Sequence, residues 1–308
     1  MNSNSSVSNQ TRKYVTASSS CDHVTKRQTD GLAVHYNRIR NPFGVKQILD
    51  LIRPGDVVLD GGCGTGQHAQ HLAAVASRVV GIDTDRARVA MARERCRDLD
   101  NTSFEVASVT GLPFENNSFD VVLLAQVLHH LVEKDAHVAD TLRQQCQRAL
   151  MEARRVLRTK GRLVLVTTSH QQRRTAYWHF NLFPQSAWER LDSVWSLTEG
   201  PWFASVMKQL GFVTRDNSTP SESHWIETDH EQMVNRGLDP EWRSTDAAFG
   251  LLTPTELNEF VARVEAVLMT DGSARDLINV AAAGRSSHGE ATVYTYVASG
   301  ATGATQIE

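Results

Sequence analysis

Val57-Val58-Leu59-Asp60-Gly61-Gly62-Cys63-Gly64-Thr65-Gly66-Gln67-His68 is the stretch whose reading decides the fold. Three apolar residues running into an acid read as a short buried strand, the alternate glycines as a loop, and Gln67 as a helix start. Glycine lets the backbone turn with φ > 0 and lets a ligand approach the main chain. A strand, a glycine loop and a helix N-terminus together form a site for a nucleotide-like ligand, with free N–H groups facing it.

Downstream, Arg78-Val79-Val80-Gly81-Ile82-Asp83, Phe104-Glu105-Val106-Ala107, Phe119-Asp120-Val121-Val122-Leu123-Leu124 and Arg162-Leu163-Val164-Leu165-Val166-Thr167 read as four more strands. Helices are expected over Gln67 to Ser77 and Thr84 to Leu99. A long one carries Val138, Leu142, Cys146, Ala149, Ala153 and Val156 at three- or four-residue spacing. Its last turn holds Arg154, Arg155 and Arg158, favourable at the carbonyl end of the dipole, and Gly161 stops it. The strands are continuous apolar runs, so they are buried on both faces. Their alternation with helices gives an α/β class with a doubly wound, mostly parallel sheet and ligands at the carboxyl ends of the strands.

Residues 1–30, rich in Ser, Asn and Thr, read as a disordered tail. Arg12, Lys13, Lys26 and Arg27 face only Asp22 and Asp30, which also fits an organelle transit peptide. Residues 31–170 form the ligand-binding core. Its lead-in has helical spacing over Leu32 to Ile39 and Val45 to Ile52, broken by Asn41-Pro42-Phe43-Gly44. Residues 171–298 form a Trp-rich helical cap or insertion with the final strands of the sheet, and residues 299–308 a second disordered tail. In that half, a helix from Pro201 stops at Gly211, and strands are expected near Val213 and at His224-Trp225-Ile226. Thr253-Pro254-Thr255-Glu256 is a capping box opening a helix, and Ala291 to Val297 is the last strand.

A net charge of −3 gives no electrostatic reason to expect nucleic acid as a partner. No apolar run approaches the roughly 20 residues that span a bilayer and no secretory segment is visible, so a cytoplasmic, membrane-free protein is expected. Cys21, Cys63, Cys96 and Cys146 include no C-x-x-C pair, which argues for a reducing compartment and against a metal site.

Two ligand classes use a glycine loop after the first strand of such a sheet. The dinucleotide fingerprint is G-x-G-x-x-G, whereas this chain has Gly62-x-Gly64-x-Gly66 with Gln at 67. That spacing weakens an NAD-dependent dehydrogenase reading, and no G-K-[ST] follows to make a P-loop. Asp60 beside the loop suits the cationic end of an amino-acid ligand better than a pyrophosphate.

Asp60-Gly61-Gly62-Cys63-Gly64-Thr65-Gly66 resembles the first motif of the class I S-adenosylmethionine-dependent methyltransferases. Leu112-Pro113-Phe114, Ser118-Phe119-Asp120-Val121-Val122, Val127-Leu128-His129-His130-Leu131 and Glu152-Ala153-Arg154-Arg155-Val156-Leu157 resemble its ubiquinone/menaquinone-type small-molecule branch. The resemblance covers about Gly31 to Thr168 and implies a seven-stranded Rossmann-like sheet. It implies S-adenosyl-L-methionine as cofactor and a small-molecule methyl acceptor as partner.

By the same resemblance Gly62, Gly64 and Gly66 admit the methionine moiety and ribose, and Asp60 sits by the ligand's ammonium group. Asp83 accepts from the ribose hydroxyls with Ile82 or Thr84 flanking the adenine, and Ser108 and Val109 stand where the adenine amino group is met. Gln126 and Val127 pass beneath the sulfonium, and Tyr36 closes over the ligand. One position departs from the pattern: Ser108 stands where the family usually has an acid, and a hydroxyl lacks the charge-assisted strength of a carboxylate. A non-catalytic binding or regulatory protein on the same fold is the alternative this leaves open.

Methyl transfer is an in-line displacement that needs alignment and desolvation, with a base only if the acceptor must lose a proton. His170, directly after the fifth strand, is the first candidate base, followed by His129 and His130. Trp178, Trp188, Trp195, Trp202, Trp225 and Trp242 all lie in the second half of the chain, with Tyr177, Phe180 and Phe183. They suit either an apolar or aromatic acceptor pocket or the core of a helical cap. Arg173-Arg174 reads as a solvated pair or as a holder of an acidic acceptor. Asp120 reads as structural.

Overall fold

The computed structural model describes residues 41–131, 138–220, 223 and 229–299. Tyr36, the helix expected before residue 40, the strand expected at 224–226, the N-terminal tail and the C-terminal tail beyond Ser299 lie outside the described residues.

The core elements in chain order are α1 (Val45–Leu49), β1 (Val57–Gly61), α2 (Gln67–Leu72), β2 (Arg78–Asp83), α3 (Arg86–Arg95), β3 (Thr102–Val106), β4 (Phe119–Ala125), α4 (Val138–Val156) and β5 (Leu157–Thr167). The second half adds α5 (His170–Ala176), α6 (Trp188–Trp195), α7 (Pro201–Gln209), β6 (Phe212–Ser218), α8 (His230–Asn235), α9 (Pro240–Ser244), α10 (Pro254–Met269), α11 (Ser273–His288) and β7 (Thr292–Ala298).

The seven strands form one sheet in the order β3-β2-β1-β4-β5-β7-β6. All pairs from β3 to β5 are parallel, and β7 runs antiparallel to both β5 and β6. Val58, Leu59, Val79, Ile82, Val121, Leu123, Leu163 and Val164 are fully buried, as continuous apolar runs covered on both faces require. Each such side chain contributes about 1.5–3 kcal/mol relative to exposure. The chain winds outward through β2 and β3 on one side of β1 and returns as β4 on the other. The crevice between β1 and β4 is therefore the topological switch point, where such sheets bind ligands.

Several boundaries differ from the sequence expectation for local reasons. Asp85 caps α3 by accepting from the N–H groups of Ala87 and Arg88, at 2.8 and 3.4 Å, so the helix begins after it and not at Thr84. The stripe Leu142, Cys146, Ala149, Ala153 and Val156 packs α4 on the sheet as its spacing requires. Gly161 does not stop that helix, however: Leu157 pairs with Phe119 at once, and the register shifts before Val121 pairs with Arg162. Residues 158–161 thus bulge at the start of β5, with Lys160 at φ 63°. Arg158 lies beyond the helix and binds Asp120 at 2.6 Å, whose Oδ2 also accepts from Val57 N at 2.9 Å. Asp120 is accordingly structural.

The cap comes from two stretches, one after β5 and one between β6 and β7. Its centre is aromatic: Trp178 stacks on Trp242 at 5.5 Å, and His179 lies between Trp242 and Phe249. Phe183 and Phe260 close the cluster against Phe249. The capping box of α10 is present, with Thr253 as N-cap, Pro254 in the first turn and Glu256 reaching back. Burial would raise the Glu256 carboxyl, but hydrogen bonds from Arg190, Ser186 and Thr253 outweigh it and hold it at about 2. That carboxylate pins α10 to α6 and to the residues just before it.

Helix α11 crosses α5 with almost no space between them. A Cβ on Gly284 would stand 2.0 Å from the Thr175 carbonyl oxygen. Gly284→Ala therefore forces two backbones apart, and urea unfolding should show a loss of about 1–3 kcal/mol. An unchanged midpoint and slope would contradict this packing.

Candidate active site

Alternate glycines give the loop after β1 its shape: Gly62, Gly64 and Gly66 all have positive φ, at 74°, 53° and 79°. They do different work. A Cβ on Gly62 would strike Val127 at 2.6 Å, so the bare backbone lets the end of β4 close in. A Cβ on Gly66 would stand 3.0 Å from Ala92 of α3, and Gly66 does not line the cavity. Gly64 has open space where a Cβ would stand.

The loop's N–H groups are largely spent inside the protein, contrary to the expectation that they face a ligand. Those of Gly62 and Cys63 both donate to the Ile82 carbonyl at 2.8 Å, and that of Gly64 to Asp83 Oδ2 at 2.9 Å. The other Asp83 oxygen accepts from Asp85 N at 2.9 Å. Each carboxylate oxygen keeps a second lone pair, so Asp83 can brace the loop and still accept from a ligand.

A cavity of about 270 Å³ opens over the carboxyl ends of β1 and β4. Of the residues expected to bind cofactor, Gly62, Gly64, Asp83, Thr84, Ser108, Val109, Gln126 and Val127 line it. Asp60 lies beneath the loop, almost wholly buried, and its Oδ2 has no hydrogen-bond partner among the described residues. Burial, reinforced by the charge of Asp83 and only partly offset by the Ala69 N–H, raises its carboxyl to about 7. Ser108 shares its hydroxyl with Thr110 at 2.8 Å in a tight turn, so its side chain shapes the wall as well as facing the cavity.

Gln126 is the strained residue of the site, with φ 57° at the end of β4. Its N–H donates to Val166 O at 2.8 Å and its Nε2 to Thr168 Oγ1 at 2.9 Å, tying β4 to the end of β5. Beyond it, Tyr177 donates to the Glu290 carbonyl at 3.0 Å. Burial pushes the Tyr177 phenol well up, so it stays protonated and cannot act as a base.

Of the three histidines proposed as bases, His129 and His130 line the cavity, their rings 4.3 Å apart. His129 is buried against Trp195, and His130 is exposed. His170 is not among the lining residues. Ser169 caps the helix that His170 begins, and the His170 ring turns to Asp192, with Nδ1 2.6 Å from the carboxylate. Among the described residues no tryptophan lines this cavity, and Trp178, Trp188, Trp195 and Trp242 are buried in the cap; Trp225 lies outside the described residues. The arginine pair splits. Arg174 lies over Trp188 at 3.8 Å and binds Asp192, while Arg173 is buried, bound to Asp246 at 3.1 Å and part of the cavity wall.

Sequence reasoning did not reach Phe43, His68 or Asp246, all of which line the cavity. His68 Nε2 donates to the Phe43 carbonyl at 2.9 Å, and burial lowers its ring toward the neutral form. This bond holds the lead-in chain over the glycine loop. The Asn41-Pro42-Phe43-Gly44 break is the only local signal for it; nothing in the sequence marks Asp246. No cluster of metal-ligating side chains occurs among the described residues.

Residues 59–165 match the family described as a methyltransferase domain. The chain is 32% identical over 122 residues to the demethylmenaquinone methyltransferase of Tropheryma whipplei (strain Twist), spanning 40% of this chain and 46% of that one. It is 40% identical over 116 residues to an uncharacterized 37.1 kDa protein in transposon TN4556 of Streptomyces fradiae, spanning 37% and 30%. The chain thus spans less than half the length of these curated relatives. A chain of the solved complex between the Haloferax volcanii Trm112 methyltransferase activator and a protein described as a methyltransferase shares the fold. Its TM-score is 0.54 at 18% identity, over 90% of this chain and 99% of that one.

Residues 59–165 of the core are therefore similar to a methyltransferase domain, and that similarity implies S-adenosylmethionine as the cofactor. The residues present fit that molecule: an orphaned, buried Asp60 oxygen, a carboxylate at Asp83 with spare lone pairs, and a bare backbone at Gly64.

An Asp60 carboxyl raised to about 7 is protonated below that pH and charged above it. If it faces the ligand's ammonium group, wild-type affinity for S-adenosylhomocysteine should gain on Asp60→Asn as pH rises through about 7. Calorimetry of both proteins across that range checks this; a constant ratio would contradict it.

Proposed function

We propose that this protein transfers a methyl group from S-adenosylmethionine to a small-molecule acceptor of apolar or aromatic, quinone-like kind. One observation carries the reading: a single cavity joins the glycine loop, Asp83 and Gln126 of the sheet to Arg173, Tyr177 and Asp246 of the cap. Donor-type and acceptor-type walls thus meet at the end of β4.

When bound, S-adenosylmethionine supplies an electrophilic methyl group on a sulfonium. The chain's own part is alignment and exclusion of water. Asp60 and Asp83 hold the ends of the donor, and the strained Gln126 backbone with Val127 sets its floor. The Gln126–Thr168 bond keeps that floor level with the end of β5. Phe43, pinned by His68, closes the side toward the lead-in chain. A proton leaving the acceptor would pass to His129 or His130, which face the cavity, and His170 is set aside because it does not. No helix among the described residues is long and apolar enough to cross a membrane, so an acceptor would be met without a membrane-spanning helix of this part of the chain.

Wild-type protein should bind S-adenosylhomocysteine with a Kd on the order of micromolar. Asp83→Asn keeps the shape but removes the charge from two ribose hydrogen bonds, so affinity should fall by about tenfold to a hundredfold. Transfer of radiolabelled methyl groups from S-adenosylmethionine into a metabolite extract should follow the same order. Binding without any transfer would favour the non-catalytic alternative, and no binding would overturn the donor reading.

A further inference from the structure

Arg173 is the feature that the donor site does not use. Its side chain is 93% buried, yet it forms part of the cavity wall beyond Gln126. The guanidinium lies among three rings, 4.6 Å from Trp195, 4.8 Å from Tyr177 and 5.2 Å from Phe180. Its one anionic partner among the described residues is Asp246, reached through Nη1 alone, at 3.1 Å to one carboxylate oxygen and 3.5 Å to the other. Nε is buried without a hydrogen-bond partner among the described residues.

A guanidinium carries five N–H donors in a planar fork. Rings can face its cationic plane, but they do not satisfy in-plane N–H groups. Leaving charged donors unmatched is costly, and Nη2, which makes no hydrogen bond among the described residues and is not sealed off as Nε is, can take an acceptor atom from the cavity. Asp246 is itself held: its Oδ1 accepts from Ala248 N at 3.0 Å, and His179 Nε2 lies 3.4 Å from Oδ2. It therefore cannot swing to serve the rest of the fork without giving up those contacts.

We propose that Arg173 anchors the acceptor through an anionic oxygen, so that the acceptor class is a hydroxylated aromatic or enolic molecule bound as its phenolate or enolate. The inference rests on the methyl-transfer reading above and adds the charge state of the acceptor to it. In a cavity walled by protein, a buried guanidinium favours the ionised oxygen over the neutral hydroxyl. Such an acceptor has already lost its proton to solvent when it is seated, and the His129 or His130 route serves only an acceptor that enters neutral. Asp246 moderates the effect by neutralising part of the Arg173 charge, and it holds the fork in place.

The test uses full-length protein saturated with S-adenosylhomocysteine and two probes, 4-nitrophenol at a pH where it is fully ionised and 4-nitroanisole. Wild-type protein should bind the phenolate about tenfold more tightly than the ether, or better. The double replacement R173Q/D246N removes both charges together, so neither is left buried alone. It should bind both probes equally while holding S-adenosylhomocysteine as wild type does. Asp246→Asn alone should widen the preference, because Arg173 is then unneutralised; this variant decides the matter if the double one fails to hold S-adenosylhomocysteine. The proposal is overturned if wild type holds S-adenosylhomocysteine yet shows no preference or binds neither probe. It is equally overturned if R173Q/D246N keeps the preference, or if Asp246→Asn leaves it unchanged. Failure of wild type to bind S-adenosylhomocysteine would instead sink the donor assignment, and this proposal with it.

Discussion

The hydrogen bond from Gly64 N–H to the Asp83 carboxylate, 2.9 Å long, is the interaction on which the site depends. It ties the loop leaving β1 to the end of β2, and the paired bonds from Gly62 and Cys63 to Ile82 fasten the same loop one residue earlier. A loop with three left-handed residues has little preference of its own for one path, because glycine loses the most conformational freedom on folding. Fixing it from the neighbouring strand turns a flexible segment into a rigid wall. The acid that grips it is also positioned to accept from a ligand. Structural bracing and binding thus share one side chain.

The second half of the site is organised by a different constraint, the burial of charge in an aromatic cap. Removing one member of a buried ion pair typically costs about 3–5 kcal/mol, because it strands the other. Arg173 and Asp246 come from stretches more than seventy residues apart, on either side of β6, and the pair joins them at the cavity wall. Trp178, Trp195 and Trp242 pack around that junction, and none of the three lines the cavity. Their density in the sequence marks a core, and the chemistry in front of it belongs to polar residues that carry no compositional signal.

The five parallel strands, the capping box at Thr253 and the glycine loop that lines the cavity were legible because each has a local cause. Runs of buried apolar residues, a Thr-Pro-x-Glu cap and glycines at 62 and 64 act over a few positions. What was not legible depends on distant partners. Arg173 reads as solvated in a polar run until Tyr177, Phe180, Trp195 and Asp246 fold around it. His170 is adjacent to the fifth strand in sequence, but the cap formed by Ser169 starts a helix there and turns the ring to Asp192. Gly161 signals a helix stop, yet pairing of Leu157 with Phe119 ends α4 first. Gly66 belongs to the motif, but its role is packing against Ala92.

The central proposal is geometric: it puts the donor's sulfur at Gln126 and Val127, with the cap side of the cavity left for the acceptor. A crystal structure of the protein with S-adenosylhomocysteine tests it most directly. The account predicts ribose hydroxyls on Asp83, the ammonium group toward Asp60, and the sulfur facing Arg173 and Tyr177. A ligand bound elsewhere, or one whose sulfur faces away from the cap, would contradict it.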